Sequence, residues 1–319
     1  MENKTEKQTV LKIENLSKYF GKRKIIDNIS FETYSGEVFG FLGPNGAGKT
    51  TTIKMIMGLL SKDSGNVYIN GIDSKKNFEG AMANIGGIVE NPEMYNYLTG
   101  MQNLRQYKRI RKGVTDERLD EVIELVGLKN RINDKVKKYS LGMKQRLGIA
   151  QSIMHRPKVL IFDEPTNGLD PAGIKELRDI LKNMAHKENV GIFVSSHLLS
   201  EMELMCDRVG IIVNGKLIDV KTTTELTSSI GGATVYRFTV SPVERALEIL
   251  ASESLNYPAE KITAVENHID IIIENESEVS AINAAFVNGG VMLNGVTKLE
   301  QRLEDIFIKL TSGGGGQIA

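Results

Sequence analysis

The segment at residues 43–51, GPNGAGKTT, constrains the fold more than any other part of the sequence. It fills the pattern G-x-x-x-x-G-K-[ST]. The apolar run 38–42 before it predicts a buried strand, and apolar residues at helical spacing over 53–60 predict a helix after it. A glycine-rich loop in that position turns backbone N–H groups toward a phosphate. A chance match would lack these flanking elements, so the context indicates a nucleotide site.

The residue types in the loop suit the parts of a nucleoside triphosphate. Gly43, Gly46 and Gly48 allow the main chain to approach phosphate oxygens, where a Cβ would obstruct. The Lys49 ammonium is expected to contact the β- and γ-phosphates, and the Thr50 hydroxyl to ligate Mg²⁺. The predicted cofactor-binding residues of this loop are Asn45, Gly46, Ala47, Gly48, Lys49, Thr50 and Thr51.

The composition argues against several classes of protein. A chain of 319 residues is long for one core and suits two domains. Its 40 Lys plus Arg balance 40 Asp plus Glu, so no net field favours nucleic acid. The single cysteine, Cys206, cannot form an internal disulfide, which fits a reducing compartment. Residues 1–8 contain no apolar leader, and no run approaches the ~18 apolar residues of a bilayer span. We therefore expect another chain to supply any membrane-spanning part.

Hydrophobic patterns predict an α/β fold over residues 1–222. Short strand-like pieces near the N-terminus predict a small antiparallel sheet, and the pairs Asn70-Gly71 and Asn214-Gly215 predict hairpin turns. Charged helical patterns predict a helical insertion at about residues 99–150.

Two unbroken apolar runs, 159–162 and 191–194, are typical of parallel strands covered on both faces. The amphipathic segment 173–185 between them completes a βαβ unit. The expected core is a mostly parallel sheet with helices, of the kind that carries a phosphate-binding loop.

The composition of the sequence changes after this core. Residues 222–232 are rich in Thr, Ser and Gly, which predicts a linker. The element order that follows is β-α-β-β-α-β, a ferredoxin-like split βαβ. It defines a small α+β accessory domain at residues 223–312, with a closing helix at 299–310. Residues 313–319 are expected to form a flexible tail.

Asp163 and Glu164 follow the predicted strand 159–162. At the carboxyl end of a strand beside a phosphate loop, the first acid is placed to hold Mg²⁺ and the second to polarise a water. For any one Asp-Glu pair, two surface carboxylates would be the simpler interpretation. The segment 165–170, PTNGLD, weakens that interpretation.

The segment 139–146, YSLGMKQR, completes a set of motifs that resembles the ATP-binding cassette (ABC) ATPases. Ser140 and Gly142 match the family's L-S-G-G-Q signature, and the three residues around them depart from it. The resemblance covers roughly residues 10–220. It implies that Ser140 and Gly142 form a second phosphate cradle at a helix N-terminus, in a head-to-tail dimer that sandwiches two ATP molecules.

The resemblance also assigns single residues. His197 is similar to the switch histidine that contacts the γ-phosphate, although a lone histidine is more often structural. Asp170 resembles the acid that crosses the dimer interface. Phe20 takes the place of the aromatic that stacks on adenine, with Tyr19 as the alternative. The implied catalytic residues are Glu164, His197 and Lys49.

Glu90 stands where the family usually has a glutamine. Together with the segment 303–307, LEDIF, it resembles the subgroup that serves bacitracin resistance and lantibiotic self-immunity. Its charge beside Asp163 and Glu164 would favour a bound Mg²⁺. The implied metal ligands are Thr50, Glu90 and Asp163.

The resulting prediction is the ATP-hydrolysing subunit of an ABC transporter that exports peptide antibiotics, with ATP and Mg²⁺ as cofactors. It would work as a homodimer at the cytoplasmic face of a bacterial membrane. A permease would dock near residues 90–97 and the helical insertion. Met94, Tyr95 and Tyr97 would form an exposed patch there, unless these residues pack on residues 101–110. The alternatives are a drug or ion exporter, a soluble ABC ATPase acting on ribosomes or DNA, and a binding module in which nucleotide only regulates assembly. The C-terminal domain would be a scaffold or dimer clamp.

Overall fold

The computed structural model describes residues 8–299 apart from 112, 229–233, 253–254, 256 and 274. The chain divides into two units, Met1–Thr223 and Thr224–Ala319. The predicted tail at 313–319, and the predicted closing helix beyond Leu299, lie outside the described residues.

The strands of the first unit carry the labels β1 to β10. They are β1 (Thr9–Phe20), β2 (Arg23–Tyr34), β3 (Val38–Leu42), β4 (Ser64–Ile69), β5 (Ile72–Asp73), β6 (Ile85–Ile88), β7 (Val159–Asp163), β8 (Gly191–Ser196), β9 (Arg208–Val213) and β10 (Lys216–Thr222).

The helices that accompany these strands are α1 to α7. They are α1 (Lys49–Ile56), α2 (Phe78–Met82), α3 (Gly100–Ile110), α4 (Asp116–Leu125), α5 (Leu141–Ile153), α6 (Pro171–His186) and α7 (Leu199–Met205), with short 3₁₀ turns at Lys129–Arg131 and Val136–Lys138.

Two sheets form within the described part of this unit. One is antiparallel, in the order β2-β1-β4-β5. The other runs β10-β9-β3-β8-β7-β6; its strands are parallel except β10, which pairs antiparallel with β9. This mixed sheet confirms the predicted α/β core, and β7-α6-β8 is the predicted βαβ unit.

Both predicted Asn-Gly hairpins are confirmed. Asn70 and Asn214 each have a φ of 49°, and Gly71 and Gly215 each have a φ of 76°. Left-handed conformations at both turn positions match the right-handed twist of the strands they join. These turns join β4 to β5 and β9 to β10.

Three capped helices form the predicted insertion. Thr99, Thr115 and Ser140 cap α3, α4 and α5 by accepting a hydrogen bond from a backbone N–H in the first turn. The prediction for α1 was too long, because the helix ends at Ile56 and Gly58 follows with a φ of 70°. Within the described residues, no helix is both long and apolar enough to cross a membrane.

A cluster of four phenylalanines lies between the two sheets of the first unit. Phe31 of β2, Phe39 and Phe41 of β3, and Phe193 of β8 have ring centroids 5.4–5.8 Å apart. All four side chains are buried. Because β3 and β8 also carry the segments that form the nucleotide site, this packing fixes the strands beneath that site.

The second unit contains the elements predicted for a ferredoxin-like domain. They are β11 (Thr234–Ser241), α9 (Val243–Leu250), β12 (Ile262–Val265), β13 (His268–Ile273), α10 (Glu276–Asn288) and β14 (Met292–Leu299), with a 3₁₀ turn at Ala259–Lys261. Their antiparallel order is β12-β13-β11-β14. Phe238 and Phe286 meet edge to face in the core, with centroids 5.7 Å apart.

Two boundaries in this region differ from the prediction. The predicted linker was wrong over α8 (Thr223–Ser228), where Glu225 lies in the first turn and Leu226 is buried. An acidic first turn and one buried apolar residue favour a helix despite the Thr- and Ser-rich composition. The apolar run 291–293 predicts only a short last strand, but β14 is longer and pairs with β11 as far as Leu299.

We expect Phe193→Ala to lower the free energy of unfolding by about 3–5 kcal/mol, the usual cost of removing a buried aromatic ring. Phe78→Ala, which removes an exposed ring from the same unit, should change stability by less than about 1 kcal/mol. Urea titration of the full chain measures both values. Equal losses in the two variants would contradict the central role of the phenylalanine cluster.

Candidate functional site

The phosphate loop connects β3 to α1, as the motif predicted. Gly46 and Gly48 have φ values of 80° and 108°, which only glycine adopts readily. Gly43 is needed for a second reason besides the approach of a phosphate: a Cβ there would lie 2.4 Å from the Ile212 carbonyl oxygen. Contact with the neighbouring strand therefore already requires a glycine at position 43.

Lys49 is the first residue of α1, and only 4% of it is exposed. Its ammonium donates to the carbonyl oxygens of Gly43 at 2.7 Å and Pro44 at 3.2 Å. It also lies 3.2 Å from Oε1 of Glu164. A buried ammonium needs such acceptors, and here they come from its own loop and from the residue after β7.

The two acids at the end of β7 are joined through Ser195 on the neighbouring strand β8. The Ser195 hydroxyl donates to Oδ1 of Asp163 at 2.7 Å and accepts from the backbone N–H of Glu164 at 2.9 Å. Glu164 has a left-handed φ of 46°, so the chain turns sharply after Asp163. Ser195 was not among the predicted site residues. It could be found as a site residue only from the strand pairing, because Ser195 of β8 lies opposite Asp163 of β7.

The Glu164 carboxylate brings together the three predicted catalytic residues. Besides Lys49 on Oε1, its Oε2 lies 3.0 Å from Nδ1 of His197 and accepts from the Asn167 side-chain amide at 2.6 Å. Burial raises the pKa of Glu164, but the Asn167 amide and the Lys49 ammonium together lower it more, so the pKa lies below its usual range. The carboxylate is therefore ionised at neutral pH. Asn167 was not predicted as a site residue.

The aromatic residues at the end of β1 are exposed, as a base-stacking role requires. Phe20 is exposed, and Lys18 Nζ lies 5.8 Å from the centre of its ring. Tyr19, the alternative, is also exposed, with Lys24 Nζ 5.6 Å from its ring centre. Asp63 holds this strand end, because it accepts from the Tyr19 N–H at 2.6 Å and from Lys18 at 3.2 Å.

Three other predicted residues stand at helix starts. Ser140 caps α5 and accepts from the Met143 N–H at 3.2 Å. Gly142 is half-buried in the first turn of the same helix. Asp170 caps α6 and accepts from the Gly173 N–H at 3.1 Å.

Glu90 has an ionic partner that the sequence interpretation missed. Its carboxylate lies 2.7 Å from Nζ of Lys54 on α1, and 63% of its side chain is exposed. Its φ is 64°, another left-handed non-glycine position. The sequence predicted that Glu90 lies beside Asp163 and Glu164. It did not predict the pairing with Lys54, because Lys54 belongs to no motif.

The residues at the loop fit both ATP and Mg²⁺. The Lys49 ammonium and the first N–H groups of α1 offer donors to phosphate oxygens. Mg²⁺ usually takes one or two carboxylates together with substrate phosphates. Asp163, buried at the end of β7, and the half-buried Thr50 would supply one carboxylate and one hydroxyl. Bound Mg²⁺ would neutralise charge on the phosphates.

Comparisons with known proteins identify the family. The family model described as ABC transporter matches residues 26–167. The ABC transporter ATP-binding protein YhcH of Bacillus subtilis (strain 168) is 48% identical over 304 residues, covering 95% of this chain and 96% of the relative. The chain therefore belongs to the ATP-binding proteins of ABC transporters.

Two further relatives carry the names of their substrates. The bacitracin transport ATP-binding protein BcrA of Bacillus licheniformis is 40% identical over 309 residues, covering 96% of this chain and 98% of the relative. The lantibiotic transport ATP-binding protein SrtF of Streptococcus pyogenes is 44% identical over 209 residues, covering 66% and 89%.

A solved structure of the ATP-binding subunit of an ABC transporter superposes with a TM-score of 0.62 at 29% identity, covering 70% of this chain and 94% of that chain. The fold and the family comparisons both indicate an ATP-binding subunit of an ABC transporter. The protein is an ABC-type ATPase, and as the ATP-binding subunit of a transporter it works with a permease component.

Ser195→Ala should lower the free energy of unfolding by about 1–3 kcal/mol, because the buried Asp163 loses a donor and the Glu164 N–H loses its acceptor. Ser200→Ala, at an exposed position on α7, should stay within about 0.5 kcal/mol of the unsubstituted protein. Chemical denaturation of both variants provides the comparison. A Ser195→Ala variant as stable as the control would show that this hydroxyl does not hold the two acids.

Proposed function

We propose that this chain hydrolyses ATP to drive the export of peptide antibiotics of the bacitracin or lantibiotic type, and so confers resistance or self-immunity. The observation that carries the chemistry is the Glu164 carboxylate held between Lys49, Asn167 and His197 at the phosphate loop. The cargo class rests on the names of BcrA and SrtF. Glu90, in the place of the family's usual glutamine, also resembles the subgroup that serves bacitracin resistance and lantibiotic self-immunity.

Each residue at the loop has a separate part in the proposed chemistry. Lys49 supplies positive charge to the β- and γ-phosphates, and His197 contacts the γ-phosphate. Thr50 and Asp163 hold Mg²⁺. Glu164 polarises the attacking water, which needs an ionised carboxylate in a fixed orientation.

Glu164→Gln keeps the shape of the side chain but removes its charge. ATP hydrolysis should fall by about 10²-fold or more, the scale of losing a general base, while nucleotide binding is retained. Glu188→Gln, an exposed change of the same kind on the same unit, is the control. Steady-state hydrolysis and binding of a fluorescent ATP analogue separate the two effects. Normal turnover in Glu164→Gln would remove Glu164 from the proposed role.

The proposed assembly contains two copies of this chain and a permease at the cytoplasmic face of a bacterial membrane. In the dimer, Ser140 and Gly142 of one copy face the ATP bound at the phosphate loop of the other, and Phe20 stacks on adenine. Asp170 lies at the interface between the copies. The start of α5 is compatible with this arrangement, because Ser140 and Leu141 are exposed and the first N–H groups of a helix have no partner within it.

The loop after Glu90 is the proposed contact with the permease. Tyr95 and Tyr97 are 52% and 68% exposed, and their ring centroids lie 5.8 Å apart. The buried Asn103 fixes this loop: its side chain accepts from the Tyr95 N–H at 2.9 Å and donates to the carbonyls of Tyr95 at 3.1 Å and Thr99 at 2.9 Å. Two exposed aromatics on a fixed loop favour an interface over packing on α3.

Glu90 provides a test that separates cargo resistance from hydrolysis. Glu90→Gln removes the ion pair with Lys54 at the base of the loop, so we expect much of the ATPase activity to remain and peptide resistance to fall. Glu79→Gln, an exposed change of the same kind on α2 and outside this loop, is the matched control. Resistance is measured in a deletion strain that carries each variant, against bacitracin and a lantibiotic, beside the ATPase rate of the purified complex.

Full resistance in both Glu90→Gln and Glu90→Ala would contradict the role of Glu90. A deletion strain with unchanged sensitivity to every such peptide would instead favour a drug or ion as cargo. The two outcomes are distinct, since the first concerns one side chain and the second concerns the whole transporter.

A further inference from the structure

Glu201, on the first turn of α7, joins two segments that are distant in the sequence. Its Oε2 accepts a hydrogen bond from the Thr166 hydroxyl at 2.6 Å and another from the Ser196 hydroxyl at 3.2 Å. Thr166 lies in the loop after β7, and Ser196 is the last residue of β8. One carboxylate oxygen therefore connects the ends of two neighbouring parallel strands.

The residues next to these two hydroxyls are the ones that hold the catalytic acid. Asn167 follows Thr166 and His197 follows Ser196, and both contact Oε2 of Glu164. We propose that Glu201 is a positioning residue for ATP hydrolysis, which keeps Asn167 and His197 at the distance that orients the Glu164 carboxylate. Glu201 acts through these neighbours.

The surroundings make this connection rigid. Thr166 and Ser196 are only 4% and 2% exposed. Hydrogen bonds to a charged acceptor are stronger than neutral ones, and low solvent access strengthens them further. The Ser196 oxygen also accepts from the Leu198 N–H at 3.0 Å, which extends the network toward α7.

The helix that carries Glu201 is itself fixed. Leu199, Met202 and Met205 of α7 are buried, so their packing holds the helix in place. An acidic residue in the first turn is also favoured by the helix dipole. The carboxylate is thus a fixed point to which both segments are attached.

The direct test compares three variants of the full chain in steady-state ATP hydrolysis. Glu201→Ala removes the oxygen that accepts both hydrogen bonds and should lower kcat by about 10- to 10²-fold, since a small misplacement of a catalytic group has effects of that size. The KM for ATP should change by less than about 3-fold, because the phosphate loop is untouched. Glu201→Gln keeps an acceptor oxygen and should retain most of the turnover. Glu203→Ala, an exposed change of the same charge on the same helix, should hydrolyse ATP normally.

A second substitution guards against a Glu201→Ala variant that fails to fold. Thr166→Val removes one of the two donors at nearly constant volume and should lower kcat several-fold. The double variant should be no worse than Glu201→Ala alone, because both changes break the same bond. Thermal melting of each protein shows whether it is folded.

Three results would overturn the proposal: normal kcat in a folded Glu201→Ala or Thr166→Val, losses that add in the double variant, or a Glu201→Gln as impaired as Glu201→Ala. The proposal rests on ATP hydrolysis and not on the cargo. Normal turnover in Glu201→Ala would leave the proposed transport function standing. Unchanged peptide sensitivity in the deletion strain would leave the proposal for Glu201 standing.

Discussion

The buried ammonium of Lys49 is the constraint on which the site depends. A cation removed from water is stable only when acceptors surround it. Two of its acceptors are carbonyls of its own loop, and the third is the Glu164 carboxylate after β7. The phosphate loop and the catalytic acid are therefore placed together by one electrostatic requirement. A change at either residue alters the surroundings of the other.

The strand order satisfies this requirement. β8 lies between β3 and β7, and the register pairs Leu42 with Ser196 and Ser195 with Asp163. Parallel strands end at the same edge of a sheet, so the phosphate loop, the two acids and His197 meet there although they are distant in the sequence. Beneath that edge, the phenylalanine cluster packs β2 against β3 and β8. The core thus keeps the strand ends in register.

Local sequence signals predicted the parts of this structure that depend on local chemistry. The phosphate loop, the Asn-Gly hairpins and the ferredoxin-like order follow from glycine conformations and hydrophobic periodicity. The contacts of Ser195, Asn167 and Lys54 could not be predicted, because parallel pairing and loop packing create them. Composition was misleading over α8 (Thr223–Ser228), where one buried leucine and a first-turn acid favour a helix in a Thr- and Ser-rich segment. The predicted ligand and interface roles of Ser140, Gly142, Asp170 and Glu90 stay predictions, since they involve groups beyond a single chain.

The environment of Glu164 shows how the site favours orientation over basicity. Burial alone would raise the pKa of the carboxylate and make it a stronger base. The Asn167 amide and the Lys49 ammonium outweigh that effect and hold the pKa below its usual range. A weaker base extracts a proton less readily, but a carboxylate with both oxygens engaged keeps one orientation. Phosphoryl transfer through a loose transition state needs a positioned, polarised water more than early proton removal. The network that fixes Glu164 is therefore suited to the chemistry of ATP hydrolysis, even though it lowers the basicity of the acid.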